Sequence, residues 1–150
     1  MPDNENQKRL KSQIHETTNL LRRLFHQPSP PPAIGLDLDG CIDEAPEFFS
    51  VLSHVWPGAV CVITYRTDQE KAEKDVARFG IKCNEVILVS IFAEKAEVIA
   101  NRRISVYFDD QDEMLLNIPE NVTVLKIRNG GNFDFDSRKW LFSEETGRMI

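Results

Sequence analysis

The feature that most constrains this chain is the segment 33–42, Ala-Ile-Gly-Leu-Asp-Leu-Asp-Gly-Cys-Ile. An apolar run typical of a buried strand ends here in two acids, Asp37 and Asp39. Gly40 follows them, and glycine favours a turn. Because side chains alternate along a strand, we expect both carboxylates to project from the same side of the chain. The segment therefore predicts a buried strand that brings two acids to one place.

After this segment, strand-like and helix-like patterns alternate. The predicted strands are 33–39, 59–64, 85–90, 104–108 and 122–127. The predicted helices are 44–54, 68–79, which Gly80 closes, 93–101 and a short helix or turn at 111–117. Four of the five strands are nearly continuous apolar runs, which indicates burial on both faces. We therefore predict an α/β fold, a doubly wound, Rossmann-like parallel sheet of about five strands.

Two segments of different character precede this domain, which we expect to span 33–150. Residues 28–32 are rich in proline and predict a stiff linker. Residues 1–27 predict a helical arm, since a stripe at helical spacing is formed by Leu10, Ile14, Thr17, Leu21 and Leu24. Two interpretations of the arm stay open: a helix packed on its own domain, or a short helix through which two copies associate.

The C-terminal tail, from Asn-Gly-Gly-Asn at 129–132 onward, is less regular than the rest of the domain. It is also strongly aromatic and apolar, with side chains at Phe133, Phe135, Trp140, Leu141 and Phe142. Because such side chains favour burial, we expect the tail to fold back over the domain.

The composition narrows the classes of function. The chain has 150 residues and a net charge of −6, which argues against a broad nucleic-acid surface and leaves nucleic acid as a substrate only. No apolar run approaches the roughly 20 residues of a membrane span, and the polar start is not a secretory signal. The cysteines Cys41, Cys61 and Cys83 lie far apart, which argues against a disulfide framework and fits a reducing cytoplasm.

Polar side chains end three of the predicted strands. Asp37 and Asp39 close the first strand, Thr64 closes the second, and Asp109 and Asp110 follow the fourth. In a parallel sheet the carboxyl ends share one edge, where ligands bind, so we expect these groups to converge. Several carboxylates form a hard oxygen ligand set that suits Mg²⁺. Helix capping is the simpler explanation for any single cluster, but not for all of them.

The order of these features resembles the motifs of the haloacid dehalogenase (HAD) superfamily, most of whose members are phosphatases. Segment 37–42 resembles the first motif, Asp-x-Asp-Gly-Thr, with Cys41 in place of the threonine. Segment 60–66 resembles the second motif, and Lys95 stands where the third-motif lysine stands. Segment 106–110 resembles the fourth motif in its paired-aspartate form. By spacing alone, Lys95 would be a solvated helix residue.

This resemblance, which covers about residues 33–127, implies a Mg²⁺-dependent phosphatase acting on a phosphomonoester. It assigns Asp37 as the nucleophile that forms an aspartyl-phosphate, and Asp39 as the general acid and base. Thr64 and Lys95 would bind the phosphoryl group and neutralise its charge. Arg66 is a further candidate substrate contact.

The resemblance also implies a metal set and an open site. Mg²⁺ would be held by Asp37, by the backbone carbonyl of Asp39 and by Asp109, with Asp110 acting through the water shell. The connections 43–58 and 66–94 are too short for the inserted cap domain that usually selects the substrate in this superfamily. A phosphorylated substrate is therefore expected, but its class is not specified.

Two other functions stay open. The first is a catalytically silent binding or assembly protein, favoured by Cys41, by the missing cap and by the helical arm. The second is a phosphate-sensing response domain, which also gathers aspartates and a lysine on a doubly wound sheet. In such domains the phosphoacceptor usually follows the third strand, whereas here the paired acids close the first, which counts against that function.

Overall fold

The computed structural model describes residues 3–25 and 30–140. The chain divides into two compact units, with the boundary between Pro30 and Pro31. In the first unit, helix α1 (Asp3–Phe25) confirms the predicted helical pattern. Ile14, on the predicted stripe, is exposed in this helix. Association of two copies through α1 stays a prediction.

The second unit contains a five-stranded parallel sheet and its helices. The sheet strands are β1 (Ala33–Leu36), β2 (Val60–Thr64), β3 (Glu85–Leu88), β4 (Ile104–Asp109) and β5 (Thr123–Lys126). The helices are α2 (Pro46–Val55), α3 (Gln69–Arg78), α4 (Phe92–Asn101) and a short 3₁₀ helix (Asp112–Leu115). An antiparallel hairpin follows, with strands β6 (Phe133–Asp134) and β7 (Lys139–Trp140).

The strand order β3-β2-β1-β4-β5 confirms the predicted doubly wound α/β fold. The chain moves outward from β1 through β2 to β3 and then crosses back to β4 on the other side of β1. The switch point in strand order therefore lies between β1 and β4. A crevice outside the carboxyl ends of two such strands is where ligands bind in open α/β sheets.

Helices cover both faces of the sheet, as the continuous apolar strands predict. On one face, Ile34 packs in a cluster with Phe49 of α2 and Val76 of α3. On the other face, Ile63 packs in a cluster with Ile99 of α4. Strands β1 and β2 are buried along their whole length and β4 is buried at its carboxyl end, so the ends of β1 and β4 lie in the interior of the domain.

The first strand ends at Leu36, earlier than predicted, and a wide turn (Leu38–Ile42) follows Asp37. Gly40 takes a positive φ of 79° in this turn, a conformation that glycine adopts without steric cost. The backbone N–H of Ile42 donates at 3.4 Å to the carbonyl of Asp37, five residues earlier in the chain, which is the hydrogen-bond spacing of a π-helical turn. Such wide turns occur frequently at functional sites.

The connections on either side of β2 are short. The wide turn and α2 join β1 to β2, and α3 joins β2 to β3, so residues 30–140 contain no inserted cap domain. Glycine closes α3 as predicted, with Gly80 at φ 70°. None of the helices in the described ranges combines the length and the apolar character that a membrane crossing requires. The predicted tail residues Leu141 and Phe142 lie outside the described residues.

Candidate active site

Three buried carboxylates meet at the switch point of the sheet. Asp37 follows β1, while Asp109 ends β4 and Asp110 follows it. Because β1 pairs directly with β4, with Leu36 opposite Phe108, the residues that follow are neighbours. One oxygen from each carboxylate lies within 4.8 Å of the others. The sheet therefore brings together three of the predicted metal-binding residues.

Lys95 reaches this cluster from α4. Its ammonium donates to Oδ1 of Asp37 at 2.9 Å and to Oδ2 of Asp109 at 2.7 Å, and the residue is only 1% exposed. Burial alone would lower the pKa of Lys95, but Asp109 and Asp37 outweigh it and raise the pKa above the ordinary value. Lys95 is therefore a buried cation paired with two acids, and not the solvated helix residue that its spacing alone indicates.

Two further groups fix Asp109, and neither was predicted. The hydroxyl of Tyr107 donates to Oδ2 of Asp109 at 2.9 Å, and the backbone N–H of Gln111 donates to Oδ1 at 2.9 Å. Burial, followed by the charge of Asp109, raises the pKa of Tyr107 well above its usual range, so the hydroxyl keeps its proton. A sequence signal existed, because residues 107 and 109 share one face of a strand.

The cluster carries more negative than positive charge. Burial raises the pKa of Asp37 well above its usual range, against the opposing effect of Lys95, and Asp109 and Asp110 raise it further. Burial, followed by the charge of Asp109, raises the pKa of Asp110 to about 7. A bound divalent cation would compensate the same charge without a proton. The oxygen-only ligand set of Asp37, Asp109 and Asp110 fits a hard cation such as Mg²⁺.

Asp39 faces a different set of partners. Its carboxylate accepts hydrogen bonds from Arg66, from Nε at 2.9 Å and from Nη2 at 2.6 Å. The hydroxyl of Thr64 lies 3.4 Å from the same carboxylate. The metal-binding group does not include the Asp39 side chain. The prediction that Asp37 and Asp39 project from the same side of a strand therefore does not hold, because Asp39 lies in the turn and not on the strand.

Arg66 is buried between two carboxylates. Besides Asp39, its Nη1 donates to Oδ2 of Asp75 at 2.5 Å, and the residue is 7% exposed. Arg66 in turn lowers the pKa of Asp75. The sequence predicts that Arg66 contacts the substrate, whereas in the structure its guanidinium contacts Asp39, the predicted general acid and base. Asp75 itself was missed, although its spacing from Ala72 and Val76 puts it on the buried face of α3.

The start of the C-terminal tail is anchored to the wide turn. Asn132 donates from Nδ2 to the carbonyl of Gly40 at 2.5 Å and to the carbonyl of Ile127 at 3.1 Å. Asn129 donates from Nδ2 to the carbonyl of Glu44 at 3.0 Å. Residues 129–132 therefore fold back onto the domain and support the turn that carries Asp39. Of the aromatic side chains that predict this folding, Phe133 is buried, whereas Phe135 is exposed.

The remaining groups of the turn are structural. Cys41 is fully buried, and burial, followed by the charge of Asp37, raises the pKa of its thiol well above the usual range. A thiol in this state is a poor nucleophile. Asp43 accepts the backbone N–H of Gly40 at 2.7 Å. Burial, followed by the charge of Asp39, raises the pKa of Asp43 to about 6.

Comparison with protein-family models, curated proteins and solved structures gives no significant match for this chain. The chemistry of the site is therefore inferred from its own geometry. One group, formed by Asp37, Lys95, Asp109 and Asp110, contains three carboxylates that could hold a cation. A second group, formed by Asp39, Thr64, Arg66 and Asp75, holds another acid two residues further along the chain.

Proposed function

We propose that this protein is a metal-dependent phosphatase of the HAD type, which hydrolyses a phosphomonoester through an aspartyl-phosphate on Asp37. The observation that carries the proposal is the buried cluster of Asp37, Lys95, Asp109 and Asp110 at the sheet switch point. Burying three carboxylates around one ammonium is unfavourable for folding alone, since removing them from water costs free energy that only partners repay. Such clusters are typical of functional sites.

Asp37, Asp109 and Asp110 would hold the cation, for which we propose Mg²⁺. When bound, it would screen the negative phosphoryl group from the surrounding carboxylates and neutralise charge that develops on the phosphoryl oxygens. Lys95 would supply a fixed positive charge on the same side, because its ammonium is already held between Asp37 and Asp109.

In the first step, an oxygen of the Asp37 carboxylate bonds to phosphorus, and the bond from phosphorus to the leaving oxygen breaks. Asp39, in its protonated form, gives its proton to the leaving oxygen, which departs as an alcohol. Thr64 would donate its hydroxyl to a phosphoryl oxygen. The product of this step is an aspartyl-phosphate on Asp37 and an anionic Asp39.

In the second step, Asp39 accepts a proton from a water molecule whose oxygen attacks phosphorus. The bond between phosphorus and Asp37 breaks, inorganic phosphate forms and Asp37 regains its carboxylate. Asp39 is again protonated, so the cycle is closed without any other proton donor.

The position of Arg66 adds a condition to this mechanism. A guanidinium stabilises the anionic form of the carboxylate that it contacts, whereas the first step needs a protonated Asp39. Asp39 must therefore turn from Arg66 towards the leaving oxygen when substrate binds. Asp75 would keep the buried guanidinium paired during that movement, because it contacts a separate nitrogen.

The proposal is tested by phosphate release from p-nitrophenyl phosphate with Mg²⁺, and again after EDTA. We expect release that requires the metal and is lost in Asp37→Asn, while the matched variant Asp136→Asn, on an exposed residue of the hairpin, keeps wild-type activity. Release that persists in EDTA or in Asp37→Asn would contradict the mechanism.

A second candidate is a binding or assembly protein that keeps the site without turnover. The ion pair of Asp39 with Arg66 favours it, since an acid held in this way is not available as a proton donor. In that case calorimetry would detect Mg²⁺ binding that is lost in Asp109→Asn, while no phosphate ester in a broad panel would be hydrolysed.

A further inference from the structure

A cavity outside the carboxylate cluster is lined by charged and aromatic side chains. Its volume is about 420 Å³, within the usual range for small-molecule pockets of roughly 300–1,000 Å³. The lining residues are Asp112, Arg128, Phe133, Phe135 and Arg138. We call this cavity the rim pocket.

The rim pocket belongs to the same edge of the sheet as the carboxylate cluster. Asp112 follows Asp110 by two residues, and two residues of chain span at most about 7 Å. Directly after the neighbouring strand β5, the backbone N–H of Ile127 donates to the carbonyl of Asp109 at 3.0 Å, and Arg128 is the next residue. A molecule whose phosphate lies at Asp37 can therefore extend into the rim pocket.

The rim pocket is locally basic in a chain whose net charge is −6. Arg128 and Arg138 line it, and Lys126 lies beside it as the ion-pair partner of Asp112. Asp112 is also 3.7 Å from Arg128, so one carboxylate faces more than one cation. This charge favours an anionic group of the ligand.

Aromatic rings form the other part of the lining. The guanidinium carbon of Arg128 lies 4.4 Å from the centre of the Phe133 ring, and the rings of Phe133 and Phe135 meet edge to face at 5.2 Å. Phe135 is 58% exposed although it is a large apolar side chain. A ring and a guanidinium side by side offer stacking surfaces for a planar ligand group.

We propose that the rim pocket binds the leaving group of the substrate, and that this group is an aromatic ring carrying a second negative charge. Turnover of such a substrate rests on the proposed phosphatase activity, whereas its binding does not. Arg128 and Arg138 would contact the second negative charge, and Phe135 would stack on the ring. The rim pocket would thus select the substrate in a domain whose described residues, 30–140, contain no inserted cap.

Four phosphate monoesters test separately whether the rim pocket recognises the aromatic ring and whether it recognises the second negative charge. Phenyl phosphate has the ring alone, 2-phosphoglycolate has the second charge alone, 4-carboxyphenyl phosphate has both, and ethyl phosphate has neither. Because leaving groups differ in intrinsic reactivity, kcat/KM of each ester is compared between wild type and variant, and not between esters.

We expect Arg128→Gln to lower kcat/KM for 4-carboxyphenyl phosphate about tenfold, and that for phenyl phosphate less than about twofold, because a charge-assisted contact is lost only for the first. Phe135→Leu should lower kcat/KM for both aryl esters and leave both alkyl esters unchanged. The matched control is Arg103→Gln, an exposed arginine at the amino-terminal end of β4, and it should change none of the four.

Binding without turnover separates this proposal from the proposed function. Calorimetry with the Asp37→Asn variant should give tighter binding of 4-carboxyphenyl phosphate than of phenyl phosphate, and adding Arg128→Gln should remove the difference. If no ester is hydrolysed but this difference is found, the phosphatase mechanism fails and the rim pocket stands. Equal binding of both esters, or a difference that survives Arg128→Gln, would overturn the rim pocket proposal whether or not hydrolysis occurs.

Discussion

At the scale of single residues, the two acids of the first motif differ because their neighbours differ. Asp37 contacts a lysine ammonium and belongs to the group that could hold a cation. Asp39 contacts a guanidinium and a hydroxyl. The proposed mechanism needs Asp37 ionised beside a cation and Asp39 protonated, so it requires a bound cation at Asp37 and the departure of Asp39 from Arg66.

The first prediction concerns Asp75, which shares Arg66 with Asp39. In Asp75→Asn the guanidinium would have Asp39 as its main anionic partner and would hold it more firmly. We expect kcat/KM for ethyl phosphate to fall about tenfold or more, because general acid catalysis contributes roughly 10²–10⁴-fold. For p-nitrophenyl phosphate, whose leaving group departs without a proton, kcat/KM should change less than about twofold.

The matched control for this prediction is Asp68→Asn, on the same helix. Asp68 caps α3 by accepting the backbone N–H of Lys71 at 3.0 Å, and asparagine caps a helix equally well. This variant should hydrolyse both esters with the kcat/KM of the wild type. Equal losses on both esters in Asp75→Asn would mean that Asp75 only stabilises the fold.

At the scale of elements, the wide turn after β1 determines where the acids lie. Gly40 has a positive φ of 79° and lies so close to the Asp110 carboxylate that a β-carbon would overlap it. Asn132 holds the carbonyl of the same glycine. The turn, the end of β4 and the start of the tail are therefore packed as one unit.

The second prediction follows from this packing. Gly40→Ala combines a left-handed backbone, which costs roughly 1–2 kcal/mol, with displacement of the Asp110 carboxylate. We expect both a lower free energy of unfolding and loss of the stabilisation by Mg²⁺, measured by thermal unfolding with and without the metal.

Gly80→Ala is the matched control, since Gly80 has φ 70° but lies against Ser50 and far along the chain from the acids. It should lower the free energy of unfolding while keeping the stabilisation by Mg²⁺. If Gly40→Ala also kept that stabilisation, Asp110 would not be part of the metal site.

The elements show which parts of the site a sequence can predict. The apolar strands and the rule for parallel sheets place Asp37, Asp109 and Asp110 on one edge, because strand pairing fixes backbone positions. The pairing of Arg66 with Asp39 depends on the turn and on long side chains, and strand alternation cannot predict it. The hairpin of β6 and β7 is formed by two-residue strands, which are too short to leave a periodic pattern.

The role of Lys95 can be predicted from the sequence only in part. Its spacing predicts a solvated lysine, and only the resemblance of the whole motif order to HAD phosphatases indicated a role. Its burial follows from position, because α4 lies against the sheet with Ala96 and Ile99, and Lys95 precedes them on the same face. A hydrophobic pattern cannot predict this, since it assigns every lysine to the solvent side.

At the scale of the whole molecule, the buried acids couple stability to pH. The pKa of Asp110 is raised to about 7 and that of Asp43 to about 6, from an ordinary value of 3.8. At pH values between the ordinary pKa of 3.8 and the raised pKa of each group, the folded protein therefore binds more protons than the unfolded chain. The stability contribution of these groups is fully present below about pH 4 and is lost as the pH rises through about 7.

The third prediction is that the metal-free protein becomes less stable between about pH 5.5 and 8, by roughly 1–2 kcal/mol. The pKa of Asp75 is lowered, so Asp75 changes the stability only at pH values below the ordinary pKa of an aspartate and does not contribute in this pH range. Mg²⁺ should restore stability at about pH 8 and have little effect at about pH 5.5, because protons compete with the cation for the same carboxylates.

Urea unfolding at several pH values, with Mg²⁺ and with EDTA, measures this dependence. Asp110→Asn removes one titrating group and should flatten the slope in EDTA, whereas Asp136→Asn on the exposed hairpin should leave it unchanged. A metal-free protein that is equally stable at all these pH values would contradict the raised pKa values.

The central claim is that Asp37 forms the covalent intermediate, and trapping that intermediate tests it most directly. Protein mixed with p-nitrophenyl phosphate and Mg²⁺ is quenched with acid, reduced with borohydride, which converts an acyl phosphate to an alcohol, and digested for mass spectrometry. We predict homoserine at position 37 only when substrate and Mg²⁺ are both present, with Asp39, Asp109 and Asp110 unmodified. Phosphate release without modification of Asp37, or modification at another aspartate, would contradict the claim.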